Sequence, residues 1–391
     1  MKIVIDARWI GPTPSGVGVY TVELLKRLPA LASDWHFHLL FDDDDLRLRV
    51  LEECGLAQND MVLSETLPYG VFSPEGQLRL PRRLRAIRAD LFHSPNYMIP
   101  YLAFKPGPGG RGCGRCITTI HDVIPLLFRD HAPQSRKSRM LPLFRYCLRQ
   151  SVLRSDAVLT VSRTSRDDIV RALGLAGAEA AKIEAVYNGV DERFVPTTVQ
   201  VPTRSMRTIL YVGRLDPYKQ VVTLVRAFGQ LLRQKKEEPL HLLIVGPDDP
   251  RYPEARQVTS ALGLDDHVTF LGFLSNRELV SIYQESALLV NPSCYEGFGL
   301  QLIEAMRCGV PVVCCDGGAQ PEIAAQAARI VAAGDTQALT DAMLGVLGDA
   351  VLRTRMVTAG LSRAKDFDWQ KTARETLAVY RRVLAGESAG G

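Results

Sequence analysis

The chain has 391 residues, 46% apolar and 23% charged, with a formal net charge of only +4. That length suits two domains of about 190 residues, and the composition is that of a soluble globular protein. It contains no run of about 18 apolar residues, which excludes an ordinary membrane-spanning helix, and nucleic acid is not among the expected partners. The first residues, Met1 to Asp6, form a short apolar run ended by an acid and read as a strand, not a signal peptide. Eight scattered cysteines, several in apolar runs, fit buried free thiols in a reduced, cytoplasmic setting.

Residues 2–8 read as a strand, 11–18 as a glycine-proline loop, and Val19 onward as a helix. Such a loop lets a ligand approach the backbone, with Gly16 and Gly18 as candidate contacts. Thr21 stands where a dinucleotide fingerprint would place its third glycine, so an NAD site is not expected. Residues 36–41 are a strand, and the acidic run Asp42 to Asp45 is expected in a solvated loop. Arg79, Arg82, Arg83, Arg85 and Arg88 crowd a segment in which Leu80, Leu84 and Ile87 share one side of a helix. The favoured reading is a surface helix with that side in the core; the alternative is an interfacial helix. Residues 79–155 hold 15 basic and 3 acidic residues, a field able to attract phosphates or an anionic membrane surface. Cys113 and Cys116 form a lone C-x-x-C without a second ligand pair, so neither metal nor redox function is expected there.

Residues 117–123 form a strand ending in His121 and Asp122, at the carboxyl end where ligands of open α/β sheets sit. A lone histidine there reads either as a core residue or as a ligand contact. Residues 134–154 are helical in pattern, with six basic residues and no acidic one. Arg136, Lys137 and Arg139 on this segment, with Arg82 and Arg83, are candidates to meet an acceptor phosphate or a membrane. Residues 157–162 are a buried strand. The expected division is a first domain at 1–195, a linker at 196–202, a second domain at 203–366, and a last helix with a disordered tail at 367–391.

In the second half, the strand 208–212 leads into Gly213-Arg214-Leu215-Asp216-Pro217-Tyr218-Lys219. Arg214 offers a planar fork of donors and Lys219 a point charge, a pairing that suits a diphosphate. Strands at 241–245 and 267–271 end at Gly246 and at Gly272-Phe273. The buried strand 287–290 is followed by Cys294-Tyr295-Glu296-Gly297-Phe298-Gly299-Leu300, after which Leu300, Ile303 and Met306 recur at helical spacing. Strand, glycine turn and helix are thus in order, and the first helical N–H groups can meet an anion. From spacing alone, Glu296 is either a ligand contact or a helix cap, and Glu304 either a second contact or a surface charge. Strands at 310–315 and 328–331 and helices at 336–347, 351–365 and 371–384 complete the chain.

The run E-G-F-G-L-x-x-x-E-A-M, carrying Glu296 and Glu304, resembles the paired-glutamate motif of retaining GT-B glycosyltransferases of family 4. T-x-H-D-x-x-P at His121, V-S-x-x-S at Ser162, N-G-V-D at Asn188 and G-R-L-x-x-x-K at Arg214 and Lys219 resemble further landmarks of that family. The resemblance implies an α/β fold of two Rossmann-like, doubly wound domains facing across a cleft, with the last helix crossing back to the first. It implies Gly213, Arg214 and Lys219 at the donor phosphates, Gly272 and Phe273 at the base, and Glu304 at the ribose. Glu296 and the turn of Gly297, Phe298, Gly299 and Leu300 would meet the sugar, and His121 its far edge. Gly16 and Gly18 would lie near the phosphates or the acceptor.

The activity implied is transfer of a hexose with retention at the anomeric carbon, by front-face attack, without cofactor or metal. The Asp42 to Asp45 run offers the D-x-D spacing of metal-dependent enzymes, but in a region with no family match. GDP-mannose is the favoured donor, with UDP-, ADP- and dTDP-sugars such as dTDP-rhamnose as alternatives. The acceptor would be a lipid-linked glycan or surface polysaccharide at the inner face of the cytoplasmic membrane. A non-catalytic nucleotide-sugar-binding subunit is the second class, against which the presence of Glu296 and Lys219 favours catalysis; a GT-B phosphorylase or epimerase is a third, less favoured one.

Overall fold

The computed structural model describes every residue except 14, 108–111, 129–139, 197–206, 236–237 and 388–391. The chain forms two compact units. The first comprises Met1–Leu126, Met140–Asn188 and Trp369–Gly391; the second comprises Gly189–Asp368 with Leu127 and Phe128.

The first unit is built on a seven-stranded sheet of β1 (Lys2–Asp6), β2 (His36–Phe41), β3 (Val62–Thr66), β4 (Leu91–Ser94), β5 (Arg115–Thr119), β6 (Ala157–Thr160) and β7 (Ile183–Ala185), in the order β3-β2-β1-β4-β5-β6-β7. Every pairing is parallel, with Ile3 opposite both Phe37 and Leu91. Helices cover both faces of such a sheet, which is why β4 and β6 are buried at every residue. Leu80 and Leu84 from the helix Pro74–Ile87 pack on Val4, Leu40 and Phe92, so the apolar side of that arginine-rich helix faces the core.

Two local expectations change. The first helix begins at Gly16, not Val19, because the Ser15 hydroxyl accepts from the Gly18 N–H at 3.1 Å and caps it. Gly16 and Gly18 therefore lie in the first helical turn. The acidic run is likewise a helix start: Asp43 caps Asp44–Glu53, accepting from Leu46 N at 2.8 Å, and Asp44 and Asp45 occupy the first turn, where the helix dipole favours them. The basic helix spans Leu141–Arg154; residues 134–139 of its expected range, and nearly all of the expected linker, lie outside the described residues.

The helix Trp369–Ala385 belongs to the first unit. Its Tyr380 hydroxyl lies 2.5 Å from Nδ1 of the fully buried His93, whose Nε2 lies 2.9 Å from the Thr119 hydroxyl. Burial, and secondarily the neighbouring His121, push the His93 pKa down to about 3, so this imidazole is neutral.

The second unit holds β8 (Arg207–Val212), β9 (Leu240–Val245), β10 (Val268–Phe270), β11 (Leu288–Asn291), β12 (Val312–Cys315) and β13 (Ala328–Val331), ordered β10-β9-β8-β11-β12-β13 and again all parallel. Val221, Leu224, Val225, Phe228 and Leu231 recur at helical spacing on Val221–Gln234 and bury against Ile209, Leu242 and Val290. Both units are thus Rossmann-like, with strand order reversing beside β1 in one and beside β8 in the other. Among the described residues, no helix is long and apolar enough to cross a membrane.

Candidate active site

In an open parallel sheet, the loops leaving adjacent strands at the order reversal diverge and leave a crevice at the carboxyl edge. In the second unit those strands are β8 and β11. The loop after β8 carries Gly213, Arg214 and Lys219; the loop after β11 carries Glu296. Lys219 ends a single 3-10 turn, Pro217–Lys219, followed by Gln220 at φ 55°, which redirects the chain into Val221–Gln234.

The two loops meet in one ion pair. Lys219 Nζ lies 2.7 and 2.8 Å from the two Glu296 carboxylate oxygens. Three further donors converge on Oε1 of Glu296: the Ser293 hydroxyl at 2.7 Å, Gln301 Nε2 at 3.0 Å and Asn291 Nδ2 at 3.3 Å. The Lys219 and Glu296 side chains are only 12% and 10% exposed. Burial opposes charge on Lys219, yet the Glu296 carboxylate outweighs it and holds the ammonium pKa above its ordinary value.

The turn that presents Glu296 is fixed from beneath by glycine. Gly318 has φ 63° and pairs with Glu296 in an isolated bridge; a Cβ there would meet the Glu296 carbonyl at 2.3 Å. A Cβ on Gly317 would meet the Cys294 carbonyl at 1.8 Å. Gln320 Nε2 donates to the Ser293 carbonyl at 2.8 Å. The helix Leu300–Arg307 then starts from Gly299 at φ 100°, with no side-chain cap. Glu296 is therefore not a helix cap. Gly297 and Phe298 are buried, the Phe298 ring meeting Phe367 edge-on at 5.7 Å, and Leu300 is half-buried.

Glu304 is partly buried, not a solvated surface charge. Burial raises its pKa to about 7, against the opposing hydrogen bond from Tyr283, whose hydroxyl donates to Oε2 at 2.7 Å. Arg214 is exposed, and its guanidinium spans the buried Asp216, with contacts of 2.8 and 2.9 Å. Gly213, Gly246 and Gly272 follow β8, β9 and β10 in adjacent positions. Gly213 N donates to Val245 O and Gly246 N to Gly272 O, each at 2.9 Å. A Cβ on Gly246 would meet the Gly213 carbonyl at 1.9 Å, so this shelf admits no side chain there. Phe273 beyond it is 58% exposed.

His121 belongs to the first unit. Its Nε2 lies 2.9 Å from the Pro95 carbonyl, which can only accept, so Nε2 carries a proton. The ring meets Tyr20 edge-on at 5.0 Å. Gly16 and Gly18 open the capped helix of the same unit. Arg83 is paired with Glu65 at 2.8 Å, whereas Arg82 is exposed and makes no ion pair among the described residues. Arg136, Lys137 and Arg139 lie outside the described residues. Cys113 and Cys116 are buried free thiols with pKa values raised by burial, the setting of inert cysteines. Among the described residues, no three of His, Cys, Asp or Glu cluster as metal ligands would.

Sequence reading passes over Asn291, Ser293, Gln301 and Tyr283, the polar residues that hold the glutamates, and Gln320, which holds the Ser293 carbonyl. Asn291 and Ser293 carry the one available signal, polar residues at the end of an apolar strand. Tyr283 sits 21 residues before its partner and carries none.

The family described as Glycosyl transferases group 1 matches residues 201–363, and Glycosyltransferase Family 4 matches residues 14–194. D-inositol 3-phosphate glycosyltransferase of Kribbella flavida is 31% identical over 94% of this chain and 90% of its own. O-antigen chain mannosyltransferase B of Escherichia coli is 26% identical over 97% of this chain and 100% of its own. Among solved structures, sucrose-phosphate synthase from Thermosynechococcus elongatus superposes with a TM-score of 0.75 at 21% identity, covering 99% of this chain and 100% of that one. Anabaena HepE in complex with UDP and glucose gives a TM-score of 0.73 at 19% identity, covering 97% and 99%.

Proposed function

Because this chain belongs to the glycosyl transferases group 1 and is a glycosyltransferase, we propose that it moves mannose from GDP-mannose to a lipid-linked glycan or surface polysaccharide, with retention and without a metal ion. The observation that carries the chemical part is the Lys219–Glu296 pair at the carboxyl edge between β8 and β11. The preference for mannose rests on the full-length likeness to O-antigen chain mannosyltransferase B of Escherichia coli.

Breaking the bond between the anomeric carbon and the diphosphate builds negative charge on the leaving oxygen. Lys219, kept protonated by its carboxylate partner, and Arg214 on the same loop stabilise that charge; donors of this kind are worth about 10²–10³ in rate. The new carbon–oxygen bond forms on the same face as the one that breaks, and the acceptor's proton passes to the leaving phosphate. Of the four donor groups that reach Glu296, three fall on Oε1 alone and fix the carboxylate, while among the described residues Oε2 is met only by Lys219 and keeps a lone pair for a hydroxyl. That supports a role in positioning sugar hydroxyls over a role as nucleophile. Glu304 is assigned to the ribose hydroxyls, Gly213 to the phosphates, and Gly272 with Phe273 to the base. His121 is assigned to the transferred sugar.

The test is slow donor hydrolysis and thermal shift across GDP-, UDP-, ADP- and dTDP-sugars, with and without EDTA. The expected result is an EDTA-insensitive response to GDP-mannose. Turnover should vanish in Glu296→Ala, Lys219→Ala and His121→Ala, with His121→Ala retaining GDP affinity. A response confined to another nucleotide would overturn the mannose assignment, and loss of turnover in EDTA would overturn metal independence.

A further inference from the structure

The first unit carries a surface groove that the donor chemistry leaves unused. It has a volume of about 450 Å³ and is lined by Val71, Phe72, Leu78 and Met98, with Gln77 and Tyr101. Phe72 and Leu78 are each 61% exposed, an unusual cost for large apolar side chains on one continuous surface. Phe72 is held open by an aromatic cluster: its ring meets Trp9 edge-on at 5.5 Å and Tyr97 at 6.2 Å.

The polar groups of the lining are committed elsewhere. Gln77 donates from Nε2 to the Ile99 carbonyl at 3.1 Å and accepts from Tyr101 N at 2.9 Å. The Tyr101 hydroxyl donates to the Cys147 carbonyl at 3.2 Å. A sugar in this groove would surrender water hydrogen bonds without replacement, whereas a hydrocarbon chain surrenders none. The volume is that of a small-ligand site.

Charge beside the groove selects among hydrocarbons. Leu78 and Arg82 stand four residues apart on Pro74–Ile87 and so share a face of that helix. Arg82 is exposed, makes no ion pair among the described residues, and lies one turn beyond the groove. An apolar trough with an unpaired cation at one end matches an amphiphile whose hydrocarbon carries a phosphate.

We propose that this groove binds the hydrocarbon chain of a lipid-phosphate acceptor, with the phosphate at Arg82. The proposal deepens the acceptor half of the proposed function and rests on that reading. It makes Phe72 and Leu78 determinants of acceptor choice, separate from the donor machinery.

The test uses the full chain without any sugar donor, titrated calorimetrically with farnesyl phosphate, farnesol and inorganic phosphate. Saturable binding of farnesyl phosphate is expected, weakened about tenfold or more in Leu78→Glu and Phe72→Ser. Arg82→Gln should weaken farnesyl phosphate but not farnesol. Far-UV circular dichroism and the melting temperature of the first unit, unchanged in all three variants, show that they fold; neither readout needs a nucleotide, which keeps this result independent of the donor assignment. Absence of saturable binding, or equal binding in Leu78→Glu, would overturn the proposal. Leu78→Glu that dissociates a self-associated chain while leaving farnesyl phosphate binding intact would assign the groove to a second copy and overturn it too.

Discussion

At the scale of single residues, the second unit keeps two carboxylates in opposite electrostatic states. Glu296 is ringed by donors and paired with Lys219; Glu304 has one donor and a pKa raised to about 7 by burial. Removing Lys219 leaves a buried carboxylate without its counter-charge, so Lys219→Ala should lose about 3 kcal/mol of stability in denaturant melts as well as activity. Glu296→Gln keeps the shape but not the charge, and turnover should fall about 100-fold while nucleotide affinity changes far less. Glu304 binds its proton more tightly folded than unfolded. Its contribution to stability is complete below about pH 4.5 and is lost as pH rises through about 7. Melting temperature should therefore decline between pH 5 and 8, and Glu304→Gln should flatten that decline by a few degrees. In its proposed role at the ribose, Glu304 accepts more strongly as a carboxylate than as an acid, so nucleotide affinity should rise over the same interval in the wild type and not in Glu304→Gln.

At the scale of elements, the turn from Cys294 to Gly299 is shaped from outside itself, by Gly317 and Gly318 leaving β12. Gly318→Ala must move the Glu296 carbonyl, so we expect a loss of about 1–3 kcal/mol and a larger fall in activity than the melting temperature explains. The elements themselves were unevenly legible. Buried parallel strands such as Leu288–Asn291 and Val312–Cys315 announce themselves as apolar runs. Val62–Thr66 escapes because none of its five residues is buried, and Ile183–Ala185 because it is three residues long at the sheet's edge. Glycine concealed the start of the first helix, where Ser15 was the better signal. Asp43 likewise reads as solvent-loving charge until its cap to Leu46 is seen. Within the site, the loop carrying Glu296 could be read from strand, turn and helix in sequence. Its junction with Lys219, 77 residues away, follows only from β8 lying beside β11.

At the scale of the whole molecule, the second unit is one nearly continuous stretch, Gly189–Asp368, whereas the first is assembled from separated stretches and includes Trp369–Ala385. A chain truncated after Asp368 should lose the first unit's cooperative melt, because His93 and Tyr20 lose Tyr380 and Trp369. It should still bind the nucleotide of the proposed donor through the second. The same discontinuity sets the order of events at the ribosome. Residues emerge at about 5–20 per second. The second sheet can close while the last helix is still inside the exit tunnel, and the first sheet, though made earliest, waits with that surface uncovered. The oldest part of the nascent polypeptide is thus the last to mature, and chaperones have their longest opportunity at His93, Tyr20 and the strands beneath them.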